Sequence, residues 1–125
     1  MKQSIATTDA PAAIGPYSQA IQAGNILFLS GQLGIDPATG HFVPGDVTEQ
    51  TEQIFKNIQA VLAAANLTLD QVVKTTVFLS DMADFASMNT VYGRHFTQPY
   101  PARSAVAVKT LPKNGLVEIE VTAVI

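Results

Sequence analysis

Residues 46–79 read DVTEQTEQIFKNIQAVLAAANLTLDQVVKTTVFL, and this stretch decides the fold. Its first part repeats apolar residues at helical spacing, which predicts an amphipathic helix over residues 47–65. Asp46 and Glu49 have the spacing of a capping box at the start of that helix. The second part, Val72–Leu79, is rich in β-branched and apolar residues and predicts a buried strand. A helix followed by a buried strand indicates a sheet with helices packed against it.

Elements on both sides extend this pattern. The residues up to Gly15 predict an N-terminal arm or a short edge strand, and Gly24-Asn25 predicts a tight hairpin turn. The remaining predicted elements are strands at Ser18–Ala23, Ile26–Leu29, Ser104–Lys109 and Val117–Ile125, and a second helix between Asp81 and Pro99. Their order predicts an α+β fold in which two helices pack on one face of a mixed β-sheet. The other face would remain apolar and uncovered, which favours an oligomer.

Length and composition support one associating domain. The chain has 125 residues, which suits a single domain over residues 1–125. Apolar residues make up 47% and charged residues only 14%, so a monomer would expose apolar surface. The formal net charge is −3 and the seven basic residues are scattered, which argues against nucleic acid as a partner. We also expect no membrane segment and a cytoplasmic location, since the N-terminus lacks the apolar stretch of a signal peptide.

The residue inventory excludes several chemistries. No cysteine is present, which removes disulfides, thiolate metal sites and cysteine nucleophiles. His41 and His95 are far apart in polar settings, so we expect both at the surface and no metal site.

Arg103 is the first candidate for chemistry. It is one of two arginines, the other being Arg94, and it enters a predicted strand just after Pro101. Its planar guanidinium matches a carboxylate in bidentate fashion. The alternatives are a structural ion pair with an acidic residue, or a solvated strand end.

Glu118 and Glu120 are the candidate acid–base groups. The strand period places both on one face, where burial and mutual repulsion can raise the pKa of one carboxyl. The alternative is the polar face of an ordinary amphipathic strand.

Three shorter signals concern binding. Ser30-Gly31 ends a strand, and glycine there permits a close approach of a ligand, although an ordinary turn has the same sequence. Tyr17 could form an aromatic pocket wall or belong to the core. Asn89 falls on the apolar stripe of the second helix, where a buried amide binds a ligand or ties the helix to a loop.

These features occur together in six blocks, in the order found in one family. The blocks are Ala10–Ala20, Ser30–Gln32, Val73–Leu79, Met88–Tyr92, Pro101–Ser104 and Val117–Glu120. With them the chain resembles, nearly end to end, the Rid (YjgF-type) family of reactive-intermediate deaminases, and its RidA branch most closely.

The resemblance implies a chorismate-mutase-like homotrimer, with three sheets around a central axis and active sites in the clefts between subunits. It implies hydrolysis of 2-iminobutanoate and 2-iminopropanoate, as small carboxylic acids bound in those clefts, to 2-keto acids and ammonia. It implies no cofactor and no metal. Some relatives resemble metabolic regulators that bind a carboxylate without catalysis, and others carry the label endoribonuclease or translation inhibitor.

The resemblance also implies roles for individual residues. Arg103 matches the carboxylate-binding arginine, and Glu118 matches the glutamate that positions or activates water, with Glu120 as the weaker candidate. The matching pocket residues are Tyr17, Ser30, Gly31 and Asn89. Many RidA relatives carry cysteine where this chain has Ala105, and alanine suffices if that position acts through its backbone.

Overall fold

The computed structural model describes the whole chain, Met1–Ile125. Its strands are β1 (Lys2–Ile5), β2 (Ala20–Ala23), β3 (Ile26–Leu29), β4 (Gln32–Leu33), β5 (Ile35–Asp36), β6 (His41–Phe42), β7 (Val72–Leu79), β8 (Ala102–Ala107) and β9 (Val117–Val124). Its helices are α1 (Val47–Ala64) and α2 (Phe85–His95), with short 3₁₀ turns at Leu69–Gln71, Met82–Asp84 and Pro112–Asn114.

One seven-stranded sheet forms the body of the protein. Its order is β1-β2-β3-β9-β7-β8, with β4 also paired to β9, while β5 and β6 form a separate hairpin. The β7–β8 pair is parallel, and the other pairs are antiparallel. Both helices contribute to the single buried cluster that also contains the inward residues of β7 and β9. The predicted α+β fold with a mixed sheet is confirmed.

The start of α1 follows the predicted capping pattern. The Thr48 N–H donates to the Asp46 side chain, and the Asp46 N–H donates to Glu49 Oε1 at 2.9 Å. These bonds satisfy backbone donors that the first turn of a helix leaves free. Asn66, with φ 61°, follows the end of the helix.

Several boundaries differ from the sequence prediction. β2 begins at Ala20, because the Ser18 carbonyl accepts a hydrogen bond from Ser30 Oγ and the Gln19 side chain bonds the N-terminal arm. β8 begins two residues earlier than predicted and therefore contains Arg103. The arm does form the edge strand β1. The turn chemistry of Asp36–Gly40 joins β5 to β6 as the sequence indicates, whereas the short strands β4, β5 and β6 themselves were not predicted.

The second face of the sheet is less apolar than predicted. No helix covers it, and Phe28 and Val106 remain 47% and 46% exposed. Glu118 and Glu120 lie on that same face, opposite Phe78 and Thr76 of β7. The face is therefore a mixed surface of apolar and acidic side chains.

His95 is not the surface residue that the sequence predicts. Its ring stacks on Phe55 with centroids 4.3 Å apart, and its Nε2 lies 3.2 Å from Glu52 Oε2. His41 is exposed, as predicted. No helix of the chain is both long and apolar enough to cross a membrane.

Asn57 connects α1 to the strands that follow β3. It is fully buried, and its Nδ2 donates to the carbonyls of Leu33 and Ile35 at 3.1 and 3.0 Å. Its Oδ1 accepts from the Gln53 side chain at 2.9 Å. One amide thus fixes β4 and β5 against the helix.

We predict that Asn57→Ala lowers the free energy of unfolding by about 2–4 kcal/mol, because two carbonyls lose their donor and at least one stays buried. Urea unfolding measures the effect. Gln59→Ala, at an exposed position of the same helix, is the control and should change stability by less than about 0.5 kcal/mol. Equal effects of the two substitutions would contradict the anchoring role of Asn57.

Candidate active site

A cleft of about 720 Å³ opens where the loop before β2, the end of β3 and the turn before β9 meet. Four of the predicted site residues line it, namely Tyr17, Ser30, Gly31 and Glu118. The rest of the wall is mostly apolar: Pro11, Ala12, Ile14, Leu33, Ile35, Pro37 and Pro112, with Gln19, Gln32, Gly40 and Lys113 completing the lining.

Glu118 is the acidic group of this cleft. It lies on β9 between Leu33 of β4 and Phe78 of β7 and is partly buried. Burial raises the pKa of its carboxyl, and the negative charge of Glu120 raises it further. A carboxyl with a raised pKa is a better proton acceptor than an ordinary surface glutamate. Glu120 itself is exposed and does not line the cleft.

Gly31 allows the Glu118 side chain to occupy its position. A Cβ at residue 31 would overlap the Glu118 carboxylate oxygen Oε2. Glycine is therefore needed here for a close approach of side chain to backbone, and not for an unusual φ. The sequence predicts that Gly31 lets a ligand approach the backbone, whereas in the structure the Glu118 carboxylate occupies that space.

Ser30 and Tyr17 have different surroundings. The Ser30 hydroxyl donates to the Ser18 carbonyl at 2.6 Å, so it holds the two chain segments of the cleft wall together. Tyr17 is 55% exposed, which excludes the alternative of a core tyrosine. It also lines the cleft.

Arg103 lies outside this cleft, at the edge strand β8. Its Nη1 donates to Asn89 Oδ1 at 2.7 Å. Its Cζ lies 4.6 Å from the ring centroid of Tyr92 and 5.4 Å from that of Phe85. Both ion pairs of the chain involve Glu52 with Arg94 or His95, so no acidic residue pairs with Arg103. The alternative of a structural ion pair is wrong, and the other N–H groups of an exposed guanidinium remain free.

Asn89 and Ala105 are the two other predicted site residues near Arg103. Asn89 is exposed, so the prediction of a buried amide is wrong; its side chain faces Arg103 because α2 turns that position toward β8. Ala105 is partly buried and packs against the core.

Tyr92 belongs to the surroundings of Arg103, although the sequence did not single it out as a site residue. Its hydroxyl lies 2.7 Å from Thr75 Oγ1, and both side chains are buried. Burial raises the pKa of Tyr92, while the Thr75 hydrogen bond and the charge of Arg103 oppose that rise. The phenol therefore stays neutral and presents its ring to the guanidinium. An aromatic residue one helical turn after Asn89 was the available signal.

The two groups of residues lie apart within one chain. Arg103 pairs with Thr75 on β7, whereas Glu118 pairs with Phe78. These β7 positions are three residues apart, and an odd separation places the side chains on opposite faces. Strand geometry puts the two Cα atoms roughly 14 Å apart. A small acid cannot contact both side chains of the same chain.

The sheet, the two helices and the two residue groups define a small α+β protein of the L-PSP type. The sequence model of the family described as endoribonuclease L-PSP matches residues 7–125. The chain therefore belongs to that family, also called the Rid or YjgF-type family. This confirms the resemblance found in the sequence.

Individual relatives cover nearly the whole chain. A RutC family protein of Pyrococcus horikoshii is 55% identical over 98% of each chain. The 2-iminobutanoate/2-iminopropanoate deaminase of Mus musculus is 48% identical over 99% of this chain and 92% of its own. The crystal structure of Escherichia coli TdcF with bound serine has a TM-score of 0.92 at 42% identity, covering 98% of both chains.

We predict that the stability difference between the wild type and Tyr92→Phe narrows as the pH rises above 10.0, the ordinary pKa of tyrosine. Because the folded-state pKa is raised, the unfolded chain loses its proton first, and the stability that Tyr92 contributes declines through this window. Urea unfolding at pH 8 and near pH 10.5 measures it. A difference that stays constant with pH would contradict the raised pKa.

Proposed function

We propose that this protein is an imine deaminase that hydrolyses small 2-imino acids, such as 2-iminobutanoate and 2-iminopropanoate, to 2-keto acids and ammonia. The observation that carries the proposal is the guanidinium of Arg103, which is held in place by neutral groups and has no carboxylate partner. A positioned arginine of this kind suits a small organic acid. The relative in mouse is named for this activity, and the relative in E. coli is described with a bound amino acid.

The proposed hydrolysis requires few catalytic groups. A protonated imine carbon is electrophilic, so one correctly placed water suffices as the nucleophile. Glu118 would accept a proton as that water adds to the imine carbon. It would return the proton to nitrogen as the C–N bond of the carbinolamine breaks, so that a carbonyl forms and ammonium leaves. Holding the acid and the water together supplies the proximity contribution. These steps need neither a metal nor a cofactor.

The proposed site forms between two copies of the chain in a homotrimer. Arg103, Asn89 and Ala105 of one protomer would face the cleft with Tyr17, Ser30, Gly31 and Glu118 of the next. Two observations support this arrangement: the groups lie on opposite faces of one sheet, and exposed Phe28 and Val106 lie on the uncovered face. A cyclic assembly repeats the same contact three times.

Arg103→Ala is expected to lower kcat/KM by at least about tenfold, since a charge-assisted hydrogen bond contributes roughly 1.5–3 kcal/mol. A threonine dehydratase supplied with threonine generates the imine, and the release of keto acid is followed. Arg94→Ala, which breaks only an exposed pair with Glu52, is the matched control. Wild-type turnover by Arg103→Ala would exclude this residue from the site. If the wild type bound the acid tightly but did not turn it over, the alternative of a regulatory protein that binds carboxylates would be favoured.

Glu118→Gln is expected to lower kcat more than it raises KM, because the amide keeps the shape of the side chain but cannot accept the proton of water. The same dehydratase assay measures both constants. Glu120→Gln, the exposed neighbour on the same face, should change them much less, because burial is the larger cause of the raised pKa of Glu118 and remains in that variant. An unaltered kcat in Glu118→Gln would exclude the glutamate from catalysis.

A mixture of the two impaired variants tests the shared site. Each interface of a mixed trimer joins one Arg103 side and one Glu118 side, so a one-to-one mixture regains roughly a quarter of wild-type activity. Arg103→Ala and Glu118→Gln are unfolded together and refolded, and each variant refolded alone serves as the control. If both residues acted from one chain, the mixture would be no more active than the average of the two variants refolded alone.

A further inference from the structure

The cleft contains a second charged residue that the proposed chemistry does not use. Lys113 and Glu118 are the only charged side chains among the residues that line it. Lys113 is exposed, takes part in neither ion pair of the chain and makes no side-chain hydrogen bond. A lysine without an ion-pair partner therefore lines a largely apolar cleft.

The backbone holds Lys113 in a fixed and uncommon conformation. Its φ and ψ are 57° and 24°, and Asn114 follows with a φ of 58°. The left-handed region is rarely occupied by residues with a Cβ. Residues on both sides are anchored: Leu111 is buried, and the Leu116 N–H donates to Gln50 Oε1 at 3.0 Å.

Close packing fixes the turn further. A Cβ at Gly115 would approach Leu33 within 3.1 Å and Phe42 within 3.3 Å. The Gly115 N–H also donates to the Pro112 carbonyl at 3.1 Å. Packing of the turn against Leu33 of β4 and Phe42 of β6 thus fixes the backbone position of Lys113. Its ammonium has no partner within the chain.

The size of the cleft leaves room for a group beyond the imine end of a substrate. In the isolated chain its volume is about 720 Å³, within the range of ligand pockets, and the neighbouring protomer of the proposed site would occupy only part of that space. Arg103 would already neutralise the 1-carboxylate. An additional lysine is a mobile point charge that favours a second anionic group.

We propose that Lys113 is a specificity-determining residue that makes the site prefer 2-imino acids with a carboxylate on the side chain over neutral ones of equal length. This inference rests on the proposed function, because it assigns the far end of the same site. Lys113 acts on the distal carboxylate, and Glu118 and Arg103 act at the imine end.

A matched pair of substrates tests it. The imines of glutamate and norvaline have five-carbon chains that differ only in a terminal carboxylate or methyl group, and an amino-acid oxidase generates both. The ratio of kcat/KM for the two imines should fall about tenfold in Lys113→Gln, the scale of one charge-assisted contact. Lys113→Arg should retain most of the ratio. Lys109→Gln, outside the cleft, should keep the wild-type ratio, and thermal unfolding checks that each variant is folded.

Binding of stable keto acids separates failure of this inference from failure of the proposed function. Calorimetry with 2-oxoglutarate and 2-oxopentanoate should give a ratio of affinities that also falls about tenfold in Lys113→Gln, even if the wild type turns over neither imine. An unchanged binding ratio in Lys113→Gln would overturn the role of Lys113. An equal loss of affinity for both keto acids would also overturn it, because a purely structural role of Lys113 would weaken the binding of both alike.

Discussion

The site depends on how Arg103 is held at the edge strand β8. Its partners are an amide oxygen and two aromatic rings, those of Asn89, Tyr92 and Phe85. These groups orient the guanidinium without neutralising it, whereas a protein carboxylate would occupy the fork that an organic acid needs. Keeping Tyr92 neutral by burial is part of the same arrangement, because a phenolate there would compete for the positive charge.

The strand period then determines where the rest of the site has to come from. β7 pairs with β8 on one side and β9 on the other, so Arg103 and Glu118 are tied to a common reference strand. Their odd offset sends one toward the helices and the other toward the uncovered face. A second copy of the chain is the simplest source of the missing half, and the exposed apolar residues of that face agree with such a contact.

The sequence predicted most of the helices and strands and part of the candidate site. The periodicity of α1 and the β-branched run of β7 decide those elements locally, and the Asp46–Glu49 spacing fixes the helix start. Asn57 had no such signal, because a polar residue on a helix is usually exposed, and only β4 and β5 folded alongside it explain its burial. Asn89 and His95 were misplaced for the same reason: their environments depend on a neighbouring strand or helix distant in sequence.

Charge complementarity connects the two halves of the proposed site. In the proposed complex the charges of Arg103 and the 1-carboxylate would cancel, which would leave the protonated imine as the charge next to Glu118. Burial and Glu120 raise the pKa of Glu118, so its carboxylate is a strong attractor for a cation and a ready acceptor of a proton. In the proposed reaction the keto acid product would lose the positive nitrogen and with it this attraction. Substrate and transition state would then be bound more strongly than product, which would favour product release.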